Sequence, residues 1–280
     1  MSSKDKKITI SSNSLISIET IEEIKASWFN HDIRECPIRR SWKEVFNTVF
    51  EKKEVKEQIE KFIDEEKSNL IFPSKFKIFN CFNACSFDKL KVVIIGQDPY
   101  HSQANQAQGF CFLVPKKRFG AESAKSSDTK DSAISSQNPV SLKYPPSLLN
   151  IIKEVRNDVK MECDNLESWI SQGVLLMNAS LTVRKSEAGS HIKYWEPLTN
   201  ELIKEISSCK KGLIFMLWGR FAQSKKEFID KSKGHNILEA SHPSPLAGGK
   251  GWFGSGHFSK ANDILVKNNK DPIVWGHKSD

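Results

Sequence analysis

Four short apolar runs, at residues 92–95, 174–177, 213–218 and 237–238, are each bounded by segments that read as helix or turn. They are rich in Val, Ile, Leu and Phe and do not alternate with polar residues, the pattern of strands buried on both faces of a parallel sheet. Helical spacing fills the ground around them. Leu148, Ile152, Val155 and Val159 recur every three or four positions after Ser147, and Asp164 with Glu167 forms a capping signal before Trp169 and Ile170, with Gly173 as the stop. Leu202, Ile203 and Ile206 follow Thr199, residues 221–231 follow the third run, and Ser41 with Glu44 opens an earlier helix as a capping box. Strand and helix in alternation predict an α/β fold, a central short four-stranded parallel sheet flanked by helices with right-handed crossovers. Ligands bind such sheets beyond the carboxyl ends of the strands, so the segments following the four runs are expected to converge.

Length and composition fit one domain. The 280 residues are 38% hydrophobic and include 7 Trp and 17 Phe, enough for a single sizeable core. The longest apolar run, residues 213–218, is far short of the roughly 20 residues a membrane helix needs, so no membrane partner is expected. Two stretches stand apart. Residues 1–20 are Ser, Lys and Ile without an aromatic and read as a flexible tail to a domain over 21–280. Residues 116–143, with six basic and three acidic side chains and Phe119 as sole aromatic, read as a disordered insertion in a surface loop.

The start lacks an apolar leader, and no Arg precedes Arg34, so a nuclear location is expected, with an organellar form left open. A net charge of +8 favours an acidic partner without identifying it. Six Cys without paired spacing or flanking His give no zinc pattern and read as reduced structural thiols. No metal or cofactor is expected.

The segments after the runs are the most unusual in the chain. Gly96-Gln97-Asp98-Pro99-Tyr100-His101 follows the first, Gly permitting a tight bend and Pro stiffening the other side. Asn178 follows the second, and Ser241-His242-Pro243-Ser244-Pro245-Leu246-Ala247-Gly248-Gly249 follows the fourth. These two loops and Tyr144-Pro145-Pro146-Ser147 hold five of the eleven prolines, which suggests rigid loops presenting polar groups.

GQDPYH, the GFCFLV run, the PPS turn, LLMNASLTV and HPSPLA stand in the order and rough spacing of the family 1 uracil-DNA glycosylases, and the chain resembles that family over about residues 40–275. The resemblance implies cleavage by water of the bond between uracil and deoxyribose, on a base flipped from single- or double-stranded DNA, as the first step of base excision repair, without metal or cofactor. It implies that Asp98 faces the sugar, stabilising its positive charge and placing the water, and that His242 donates to uracil O2, as a neutral imidazole by family precedent, although a protonated ring is the simpler expectation from the residue alone. Asn178 would read uracil N3–H and O4. Phe112 would stack on the base, Tyr100 would exclude the thymine methyl, and Gln97 would add pyrimidine contacts. Leu246 would enter the duplex as a wedge, Ser147 and Ser244 would touch phosphates, and His101 would support the water site. A monomer is expected, open to repair or replication proteins through its N-terminal tail.

Taken singly, these residues allow plainer roles. Asp98 before Pro is a turn residue, Asn178 or Ser147 a helix cap, Phe112 and Tyr100 packed aromatics, Leu246 an anchor, His101 a structural hydrogen-bonder and His242 a turn residue. The chain also departs from the family pattern. Residues 102–108 are longer by one and lack its Gly or Pro, Ala247 replaces a common Ser, and Lys250 replaces a frequent Arg. A binding protein on the same fold is the competing reading, but it has no need of a water-placing carboxylate and an anion-stabilising donor together. A nucleotide-binding reading lacks both G-x-G-x-x-G and the Walker pattern.

Overall fold

A computed structural model describes residues 23, 36–66, 69–115, 144–247 and 250–278. The expected tail and the insertion at 116–143 lie outside them. Among the described residues the α-helices are α1 (Lys43–Phe50), α2 (Lys53–Glu65), α3 (Asn80–Ala84), α4 (Pro146–Val159), α5 (Glu167–Ile170), α6 (Ile192–Cys209), α7 (Arg220–Ser224) and α8 (His257–Lys267). The strands are β1 (Ile71–Phe72), β2 (Val92–Gly96), β3 (Val174–Asn178), β4 (Val183–Arg184), β5 (Ile214–Trp218) and β6 (Asn236–Ala240).

All four apolar runs are strands of one parallel sheet in the order β3-β2-β5-β6. β2, β3 and β5 are buried along their whole length, as uninterrupted apolar runs require. β6 differs from expectation: unlike β3, which is buried throughout at the opposite edge of the sheet, it leaves Ile237 and Leu238 half-buried and Glu239 facing solvent. A two-stranded antiparallel pair, β1 with β4, has runs too short to read from periodicity.

Several helix starts also differ. Ser41 does not cap α1; its hydroxyl accepts from Phe87 N–H at 3.2 Å, and a 3-10 turn at Arg40–Trp42 precedes the helix. The N-cap position of α5 is Leu166, and the side-chain bond at its start comes from Asn165 rather than Asp164, Oδ1 accepting from Glu167 N–H at 3.1 Å. α6 begins at Ile192, well before Thr199, because Pro197 forgoes one bond to the Lys193 carbonyl without ending the helix. Thr199 lies inside it and donates to the Ala179 carbonyl at 2.7 Å. The helix expected over 221–231 is the short α7 followed by a 3-10 turn at Lys225–Phe228.

α4 fixes the parts that carry the site. Pro146 occupies its first turn, where a missing N–H costs nothing. Asn150 Nδ2 donates to the Pro243 carbonyl at 2.7 Å, and the Asn150 carbonyl accepts from Trp252 Nε1 at 3.2 Å, tying both sides of the 241–252 segment to the helix. One turn on, the buried Glu154 carboxylate accepts from Gly254 N–H at 3.0 Å through both oxygens. Asp158 accepts from Phe258 and Ser259 N–H, each at 2.9 Å, and so caps α8 from a neighbouring helix.

Candidate active site

The carboxyl ends of β2, β3 and β6 open onto one cavity of about 320 Å3. Gln97, Asp98, Tyr100 and His101 reach it from the turn after β2, Asn178 from the end of β3, and His242 and Leu246 from the loop after β6. Phe112 and Ser147 complete this group of sequence-predicted residues, with Gly96, Pro99 and Phe110 also on the wall. Ser147 stands inside the first turn of α4, whose N-cap is Pro145, so it is not the cap. Ser244 alone of the predicted set is not on the wall. It builds the turn, its N–H donating to His242 Nδ1 at 3.1 Å and its Oγ accepting from Leu246 N–H at 3.3 Å. The end of β5 contributes from behind: Gly219, at φ +87°, sits where a Cβ would come within 2.9 Å of His242 Cβ.

Gly96 earns its place by close approach rather than by a bend. It is outside the left-handed region, and it pairs in register with Asn178, so a Cβ there would lie 2.4 Å from Asn178 Oδ1 and 2.7 Å from Cys111 Cβ. Ala179 N–H donates to the Gly96 carbonyl at 2.9 Å and Ser180 N–H to the Gln97 carbonyl at 2.8 Å. The Asn178 amide is thereby held, largely buried, beside the turn that carries Asp98.

Phe112 adopts φ +58°, with Leu113 N–H donating to the Cys111 carbonyl at 2.8 Å, a γ-turn. Such a conformation costs about 1–3 kcal/mol and persists only where surroundings over-determine it. Here the ring is packed 5.6 Å from Trp218 and 5.8 Å from His242, centroid to centroid, which sets it against the cavity.

The electrostatics separate the two ionisable groups. Asp98 Oδ2 accepts from Gly189 N–H at 2.6 Å. Burial nonetheless raises its carboxyl above the ordinary aspartate value, against the pull of Gly189 and His101. Burial pushes His242 the other way, below the ordinary imidazole value. Because Ser244 N–H donates to Nδ1, that nitrogen is an acceptor, and the ring is neutral with its proton on Nε2. The Tyr100 hydroxyl is buried without a partner among the described residues, as is His101 Nδ1, and burial raises the phenol pKa, keeping it uncharged. Leu246 is 99% exposed, a large apolar side chain on the cavity's rim that buries nothing of its own. Gly189 escapes a reading of the sequence. Its only local signal is that of a turn before a helix, and nothing ties it to Asp98, 91 residues away.

Residues 82–266 match the model of the uracil DNA glycosylase superfamily. The uracil-DNA glycosylase of Flavobacterium johnsoniae is 43% identical over 246 residues, covering 86% of this chain and all of the relative. That of Campylobacter fetus is 40% identical, covering 87% of this chain and 95% of the relative. Among solved structures, mimivirus uracil-DNA glycosylase superposes with a TM-score of 0.75 at 28% identity, over 96% of this chain and 97% of that one. With the family model spanning more than half its length and relatives above 40% identity aligned almost end to end, the chain belongs to the uracil DNA glycosylase superfamily.

Proposed function

We propose that this chain hydrolyses the N-glycosidic bond of deoxyuridine in DNA, releasing uracil and leaving an abasic site, and that it does so as a family 1 enzyme. The observation that carries this reading is the convergence of Asp98, Asn178, His242, Phe112 and Tyr100 on a single cavity. Its volume lies at the small end of the roughly 300–1,000 Å3 typical of ligand pockets, suited to one extruded nucleotide. As the bond between C1′ and uracil N1 breaks, its electron pair leaves with the base. The sugar becomes cationic and uracil O2 gains negative charge. A fixed Asp98 carboxylate stabilises the cation and orients a water, whose oxygen bonds to C1′ as one of its protons passes to that carboxylate, and the released uracil anion takes up a proton from solvent. His242, neutral with its proton on Nε2, donates to O2 and needs no charge of its own to do so.

Asn178 supplies both an acceptor for N3–H and a donor for O4, a pattern cytosine inverts. Phe112 stacks on the base, Tyr100 blocks the position of the thymine methyl, and Gln97 contacts the pyrimidine. Ser147 and Ser244 hold flanking phosphates, His101 supports the water, and Leu246 fills the gap left in the duplex. A nuclear location is part of this proposal, and nothing in the chemistry depends on compartment. The test is incubation with uracil-containing, thymine-containing and cytosine-containing oligonucleotides in EDTA, scored by alkaline cleavage at abasic sites. Cleavage of the uracil strand alone is expected. An intact uracil strand at stoichiometric protein contradicts the reading.

A further inference from the structure

The loop between β4 and α6 sends no side chain into the cavity, yet it supplies Gly189 N–H, the donor to Asp98. Both ends of that loop are anchored by a buried polar chain remote from the cavity. At one end, Arg184 donates to Glu66 from Nε at 2.8 Å and from Nη2 at 2.8 Å. At the other, the fully buried His191 has Nε2 3.2 Å from Glu66 Oε2 and Nδ1 2.8 Å from Thr182 Oγ1. Trp195 Nε1 donates to Thr182 Oγ1 at 2.6 Å, and Asn69 Nδ2 donates to Glu66 at 2.9 Å. Edge-on rings of Phe62 and Tyr194 wall off the imidazole.

Burial drives His191 down to about 4, so the ring is neutral with a single proton. Nε2 lies close to the Glu66 carboxylate without the alignment of a hydrogen bond, and the Thr182 hydroxyl, which accepts from Trp195 Nε1, meets Nδ1 on the other side of the ring. Glu66 stays ionised: burial opposes this, but Arg184 and its other partners outweigh it and hold the carboxyl below the ordinary glutamate value. Taking Glu, Arg and His out of water is a poor way to gain stability. What it achieves here is to bind residues 184 and 191 to one carboxylate at the end of α2. Ser190 Oγ accepts from Arg184 N–H at 2.9 Å and Ile192 N–H donates to the Gly189 carbonyl at 3.2 Å, which leaves Gly189 little freedom.

We propose that Glu66, Thr182, Arg184 and His191 are positioning residues for the hydrolysis, fixing the loop whose Gly189 N–H aims and restrains the Asp98 carboxylate. This rests on the assignment of Asp98 above. Asp98 faces His101 and Gly189 directly, with Tyr100 and His242 on the same cavity, and Gly189 is a group that favours its ionised form. Loosening the loop weakens that support, so the carboxyl binds its proton more tightly and the acid limb of the rate profile moves to higher pH.

The test compares Glu66→Gln, Thr182→Val, Thr182→Ser and, as a packing control in α6, Ile206→Val, by single-turnover uracil release across pH together with KM and Tm. Glu66→Gln and Thr182→Val are expected to lower kcat about 10- to 100-fold, with KM within about twofold and the acid limb shifted upward. Thr182→Ser restores the hydroxyl and the wild-type profile, and Ile206→Val lowers Tm alone. If Glu66→Gln does not fold, the Thr182 pair decides, since it leaves the Glu66–Arg184 contact in place. Unchanged kcat and acid limb in Thr182→Val, whatever its Tm, overturns the proposal. An inactive wild type instead refutes the assignment on which it rests.

Discussion

Replacing Gly96 by Ala isolates the recognition amide without touching it. The backbone accepts the change, because Gly96 is outside the left-handed region. The new methyl does not fit: it would lie 2.4 Å from Asn178 Oδ1, against the 3.4 Å or more of an ordinary contact. The amide must retreat by about 1 Å, since the other neighbour, Cys111 Cβ at 2.7 Å, closes the alternative route. A misplacement of about 1 Å costs roughly 100-fold in rate, and overpacking of this kind costs about 1–3 kcal/mol of stability. Uracil release by Gly96→Ala from a single-stranded oligonucleotide should therefore fall about 100-fold, and inhibition by free uracil should weaken in parallel. Both follow from one displaced amide. Wild-type release with undiminished uracil inhibition would refute the role given to Asn178 and the close approach that Gly96 permits.

Three further outcomes follow from the cavity wall. Tyr100→Ala should release thymine from ordinary DNA at a measurable rate, and its absence removes the steric gate. Leu246→Ala should leave Tm unchanged, because the side chain is 99% exposed, and should lose about tenfold on duplex but under about twofold on single strands; equal losses contradict the wedge. Asp98→Asn should be the more stable protein at neutral pH. Because its folded-state pKa is raised by burial, Asp98 binds its proton more tightly in the fold than in the unfolded chain, so its ionisation costs stability as pH rises above the ordinary value of about 3.9. The advantage of the Asn variant in Tm should shrink on acidification, and a destabilised variant with a pH-independent deficit would show that the carboxylate is not strained by burial.

The sheet was legible because β2, β3 and β5 are buried on both faces, which forces apolar residues at every position. β6 was found but its burial overestimated, since how far neighbouring elements cover a strand is a tertiary property that two apolar residues do not announce. Helix starts suffered for a similar reason. Ser41 has the spacing of a cap, but its hydroxyl is taken by Phe87 N–H from another segment. At the site, the groups that face the cavity stand in unusual local sequence, Pro-braced and polar, and nearly all of them lie on its wall. The residues that support them do not. Gly189, Glu66 and His191 act across separations of 91 to 125 positions, and their local sequences resemble any turn, helix end or buried histidine.

Catalysis here requires that one cavity bring a carboxylate and a neutral imidazole donor to the same nucleotide. That requirement is tested most directly by single-turnover uracil release from Asp98→Asn and His242→Leu beside wild type, with binding to an abasic-site oligonucleotide measured on the same preparations. Each substitution should lower the rate at least about 100-fold while both variants stay folded and bind the abasic DNA within a few-fold of wild type. A near-wild-type rate from either variant would contradict it.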